Sequence, residues 1–131
     1  MALTRLMMEL EPAGHAGSIW FAKDLLVPDV CGWRRGRLPE LPDVVTMKLA
    51  PDWICEGLSP STARLDKGRK RELYEQAGVA HVWYADPALH LIDVFAHDGK
   101  RTKFVETVGG DRRAPLAPFD HAIDLERLWR A

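Results

Sequence analysis

Long apolar runs are missing from this chain. None reaches the roughly 18 residues that a membrane span requires, so no stretch of the 131 residues reads as a transmembrane helix. An excess of one charge is missing too. Eighteen basic side chains face nineteen acidic ones, for a formal net charge of −1. That balance excludes a grip on nucleic acid through bulk charge and leaves room for a local basic surface. Cysteine is scarce: only Cys31 and Cys55 are present, both in apolar, strand-like surroundings. Two cysteines cannot build a disulfide framework; two free buried thiols in a reducing cytosol are the better reading, and a single disulfide is the lesser one. The five histidines, His15, His81, His90, His97 and His121, lack the spacing of a zinc site. The opening MALTRLMMELEPAG has neither the long apolar stretch nor the small-residue cleavage site of a signal peptide. There is no internal repeat and no low-complexity tract. The expectation is a cytoplasmic protein with no membrane partner, folded as one domain over 1–131, with 1–17 as a poorly ordered or swapped segment.

What is present is an ordered series of short apolar segments. SIWFA (18–22) and LLVPDVCGW (25–33) read as strands, the second marked by Pro28 as an edge or a bulge. WRRGRLPELPD (33–43) is a loop, and VVTMKLA (44–50) is extended. DWICEGL (52–58) follows as a strand. Ser59 or Ser61 then offers an N-cap for a helix over about 61–77, closed by Gly78. HVWYADP (81–87) is a strand ended by an Asp-Pro turn, and 90–108 is a hairpin turning at His97-Asp98-Gly99. GGDRRAPLAPF (109–119) reads as loop and DLERLWR (124–130) as a short helix. The order predicts an α/β (α+β) protein, a mixed sheet with one long helix laid across it. Trp20, Trp33, Trp53 and Trp83 are expected in the core rather than as base-stacking platforms.

Several charged residues stand in places that cost free energy. On the predicted helix, Thr62, Asp66, Lys70, Leu73 and Ala77 form one stripe with Tyr74 beside it, and Leu73 and Ala77 assign that stripe to the core. Lys70 either pairs with Asp66 four residues back or points into a site built by the sheet. In the strand, Asp52, Ile54 and Glu56 share one face. Asp52 and Glu56 lie about 13 Å apart on an ideal strand, too far to hold one ion together. Glu56 therefore needs a partner from a neighbouring strand. Asp29, between Val27 and Val30, is the candidate, although a strand-end turn residue is the plainer account of an Asp after Pro. Two carboxylates from adjacent strands can both reach one hard cation, and an ammonium nearby would complete a site for metal-assisted hydrolysis.

These residues, taken in order, resemble the putative restriction endonuclease family within the PD-(D/E)XK nuclease superfamily. The landmarks are LVPDVCGWRRGRLP, APDWICEGLSPSTARLD, the K-x3-Y of Lys70 and Tyr74, and AGVAHVWYADP, and the resemblance runs from about Leu25 to Trp129. It implies a restriction-endonuclease-like mixed sheet and a Mg²⁺- or Mn²⁺-dependent endonuclease acting on DNA. Asp29 and Glu56 would be its metal-binding acids and Lys70 its third catalytic residue. The lysine of the usual E-x-K would stand at Leu58, and Lys70 on the following helix matches it instead. Asp52 and Asp66 match recurrent positions without an assigned role. Gly57 departs from the branched apolar residue usual there. The start also departs, being short of a first helix and strand; a sheet left exposed by that shortening would favour a homodimer.

Two functional classes follow. One is the metal-dependent endonuclease. The other is a catalytically inactive nuclease-fold remnant serving as a nucleic-acid or protein interaction module. Basic residues that could meet phosphates cluster at Arg34, Arg35 and Arg37, along the helix at Arg64, Lys67, Arg69 and Arg71, and at Arg112 and Arg113. Solvated charges balanced by nearby acids account for each cluster equally well.

Overall fold

A computed structural model describes residues 18–21, 23–40, 46–58, 63–120 and 122–129, with only the backbone for 63–67. In chain order the strands are β1 (Ser18–Phe21), β2 (Asp24–Leu26), β3 (Val30–Gly32), β4 (Thr46–Met47) and β5 (Trp53–Gly57). Helix α1 (Ala63–Ala77) follows, then β6 (His81–Asp86), β7 (Leu91–His97), β8 (Thr102–Gly109), β9 (Arg113–Pro115), β10 (Ala122–Asp124) and α2 (Leu125–Trp129). The main sheet has the order β3-β5-β6-β7-β8. Its β5 and β6 are parallel and joined through α1, while its other pairs are antiparallel. A small sheet, β2-β1-β4, and a two-stranded ribbon, β9-β10, complete the described architecture. The α/β mixed sheet with one long helix agrees with the expectation from sequence.

β5 and β6 are the centre because their sequences are apolar on both faces. Trp53 to Glu56 and Val82 to Ala85 are all buried. On one face Trp53, Trp83 and Phe119 pack edge to face, with centroids 5.1 to 5.4 Å apart. On the other, Tyr84 meets Phe95, and Arg71 of α1 lies 4.0 Å over the Phe95 ring. Helix α1 ends as its sequence dictates. Gly78 takes φ 72°, its N–H donates to the Glu75 carbonyl, and the Val79 N–H reaches back to the Tyr74 carbonyl.

Several local expectations need correction. The 25–33 segment is not one strand: β2 and β3 belong to different sheets, and Val27-Pro28-Asp29 crosses between them. Asp29 therefore sits in a bend just before β3, not mid-strand, because Pro28 cannot donate to a ladder. The 44–50 strand reduces to Thr46–Met47 among the described residues. The loop 109–119 contains β9, which pairs with β10, itself missed. Ala77 is exposed rather than core-facing, so the buried stripe of α1 runs through Leu73 and Tyr74. Trp33, Trp53 and Trp83 are fully buried, but Trp20 is on the surface. The segment 1–17 and the cap residues Ser59 and Ser61 lie outside the described residues, as do the side chains of Arg64, Asp66 and Lys67.

Asp52 has a structural employment. It is only 8% exposed. One carboxylate oxygen accepts the Arg34 backbone N–H at 2.7 Å, and the other binds the Arg37 guanidinium at 2.8 Å. Arg37 also donates to the Ala50 carbonyl. The acid thus fastens the 33–38 loop to the start of β5. Asp52→Ala should lower stability by about 2–3 kcal/mol, the scale for charge-assisted hydrogen bonds, in urea unfolding.

Candidate functional site

The site is built by register. Val30 pairs with Cys55 and Cys31 with Ile54 in the antiparallel β3–β5 ladder. Continuing that ladder one step places Asp29 opposite Glu56, and opposed residues of an antiparallel pair share a face. The backbone confirms the approach: the Gly57 N–H donates to Asp29 Oδ2 at 2.8 Å. A Cβ at Gly57 would meet that oxygen at 3.5 Å, an ordinary van der Waals contact, so the carboxylate's place does not depend on the glycine. The bend after Pro28 sets an exposed carboxylate beside a buried one.

Helix α1 covers that face and delivers two groups four residues apart. The Tyr74 hydroxyl donates a hydrogen bond to Glu56 Oε1. Lys70 Nζ stands 3.7 Å from the same oxygen, with 27% of the side chain exposed. Lys70 therefore points at the sheet. Phe21 of β1 packs edge-on against Tyr74 at 5.1 Å, and Arg69 of α1 bridges to Asp24 of β2 at 2.9 Å, so the small sheet holds the helix in place. Asp29, Glu56 and Lys70 are brought together; Asp52 is not, being at the other end of β5.

The electrostatics have one centre. Glu56 is 5% exposed, and burial pushes its carboxyl above the ordinary range. The Tyr74 hydrogen bond and the Lys70 charge pull it back down, while Asp29 raises it again by its charge and by a carboxyl–carboxyl hydrogen bond. Around it, burial and then the Glu56 charge push the Cys31 thiol up to about 12 and the Cys55 thiol further still. Both are free, buried and unreactive as nucleophiles. Tyr74 is raised in the same way, so it remains a donor.

Hard oxygen donors side by side suit Mg²⁺ or Mn²⁺, which commonly take one or two carboxylates and complete their shell with water and substrate phosphate. The donor set is small: among the described residues, no group of three His, Cys, Asp or Glu could hold a metal ion. Much of the basic surface is also engaged. Arg37, Arg69 and Arg113 each pair with an acid of the same chain.

The model of the family Uma2, putative restriction endonuclease, matches residues 10–126. The chain belongs to that family. A solved structure shares its fold: a putative nuclease belonging to DUF820 from Anabaena variabilis superposes with a TM-score of 0.71 at 19% identity, covering 98% of this chain and 74% of that one. Comparison with curated proteins gives no match. The scaffold is nuclease-like, and the described helices include none long and apolar enough to cross a membrane.

Sequence reasoning placed Tyr74 beside the helical stripe and did not see it as the hydrogen-bond partner of Glu56. The signal was present in the i, i+4 spacing from Lys70. The Gly57 N–H to Asp29 contact had no sequence signal, since it depends on register. Because the folded Glu56 pKa is raised, the unfolded chain releases its proton first, and stability falls as pH climbs from the ordinary Glu range through the folded value. Glu56→Gln should flatten that part of the pH–stability curve. Tyr74→Phe should extend the fall to higher pH, with its onset unmoved, by removing the bond that lowers the folded Glu56 pKa. Thermal unfolding across pH reads both.

Proposed function

We propose that this family member is a metal-dependent endonuclease that hydrolyses DNA phosphodiester bonds at the Asp29–Glu56–Lys70 cluster. The observation carrying this reading is the meeting of two carboxylates and one ammonium from three separate segments on one face of the sheet. Asp29 and Glu56 would hold Mg²⁺ or Mn²⁺. The chemistry supplied by a bound ion is Lewis-acid activation of water and relief of negative charge on the reacting phosphate. Tyr74 fixes Glu56 Oε1, so that the carboxylate keeps its orientation when a phosphate approaches. Lys70 offers a point positive charge to a non-bridging phosphate oxygen. Placing the lysine on a helix rather than two residues beyond the acid leaves Leu58 free to pack against the core.

A second reading has a specific observation behind it, and on ligand count it is the stronger. With two acids and no third ligand among the described residues, and with Glu56 raised toward its neutral form, the cluster suits a nuclease-fold module that binds nucleic acid or protein without cleaving. The hydrolytic reading requires the substrate's own phosphate oxygen to complete the ion's shell.

Incubation of plasmid and linear DNA with Mg²⁺ or Mn²⁺ separates the two. The hydrolytic reading expects cleavage that depends on the ion and falls at least about 100-fold in Glu56→Ala and Lys70→Ala, with circular dichroism unchanged. Undiminished cleavage by Glu56→Ala would refute this site. DNA retention that falls steeply with salt, without cleavage and without ion affinity at millimolar concentration, supports the binding module.

A further inference from the structure

The main sheet has two edges of very different character. β3 is three residues long and fully buried, whereas β8 runs from Thr102 to Gly109 with no strand on its outer side among the described residues. Edges of that length are usually blunted by covering, shortness, charge or a bulge; β8 carries Lys103, Glu106 and a bulge, and is uncovered among the described residues. Here the edge shows Phe104, 57% exposed, and Val105, 52% exposed.

The edge is also self-complementary. Ala96 pairs with Lys103 and Val94 with Glu106, while Phe95 pairs with Phe104, so Val105 is the extra residue of a bulge. Ala96 and Val94 share a face of β7, and the bulge therefore turns Lys103 and Glu106, three apart, onto that same face. Read outward from the Phe104–Val105 bond, Phe, Lys and Thr in one direction answer Val, Glu and Thr in the other. An antiparallel copy of the strand, related by a two-fold axis normal to the sheet, sets Lys103 against the partner's Glu106 and Phe104 against the partner's Val105. Both charge pairs then attract, both apolar residues are covered, and opposed side chains share a face as an antiparallel ladder demands.

We propose that β8 is a homodimer interface, in which two copies of this chain pair edge to edge in that register and extend the main sheet across the two-fold axis. Lys103 already pairs with Asp98 of its own turn at 3.0 Å, and with its side chain 63% exposed the ammonium can serve both carboxylates.

Sedimentation equilibrium on the full chain over about 1–500 μM, a range suited to a small edge interface, tests this. The wild type should dimerise reversibly. Lys103→Glu and Glu106→Lys each turn two attractive cross-strand pairs into repulsive ones and should weaken the dimer about tenfold or more. The double variant restores opposite charges and should return the dimer to near wild-type strength. Asp98→Asn removes the contact within the chain and should leave the dimer intact, which separates interface from turn; circular dichroism checks that each variant is folded. A wild type that stays monomeric over the range overturns the proposal, whether or not another protein's strand uses the edge. Single variants that dimerise normally, or a double variant that does not recover, also overturn it.

Discussion

The alignment of β3 on β5 is the constraint from which the site follows. With Val30 against Cys55, the acid after Pro28 falls beside the buried acid of the central strand. A slip of one residue would turn Asp29 to the opposite face and leave Glu56 without its carboxylate neighbour. Apolar residues on both strands hold the alignment: Val30, Cys31, Ile54 and Cys55 are all buried, so every alternative register exposes some of them or buries a charge.

The second requirement is that a carboxylate survive in the core. An acid with both neighbours apolar, as Glu56 has in Cys55 and Gly57, is strongly disfavoured in charged form unless something polar reaches it. Tyr74 and Lys70 do so from one turn of α1 to the next, and Phe21 and Asp24 steady that turn from the small sheet. Packing and electrostatics are therefore the same problem here. The helix that covers the sheet also brings the two groups, Tyr74 and Lys70, that pull the Glu56 pKa down.

Much of this was legible in the sequence. The periodicity of 63–77 and the glycine after it marked the helix, and the apolar runs at 53–57 and 81–86 marked the centre of the sheet. The acid in WICEG stood out because its neighbours left it no cheap alternative. What the sequence hid was long-range. That 25–33 splits between two sheets depends on which partners its halves find, and Pro28 marks the break without naming them. β9 and β10 are three residues each, too short for alternation to register, and exist because they pair with each other. In the sequence Asp52 is too far from Glu56 to share an ion and has no assigned role; it fastens a loop, and its partners, Arg34 and Arg37, are set by how the chain folds back and not by spacing.

The three-residue crossing Val27-Pro28-Asp29 has one more consequence. It is a tether of at most ~10 Å between a strand of one sheet and a strand of another, stiffened at its middle by a ring that fixes φ. Its last residue carries the outer carboxylate, and its first continues from a strand whose neighbour presses on Tyr74. Any tilt of the small sheet is thus geared into the spacing of the acids through two routes at once, chain and helix, so their separation is a measure of how the two sheets are seated.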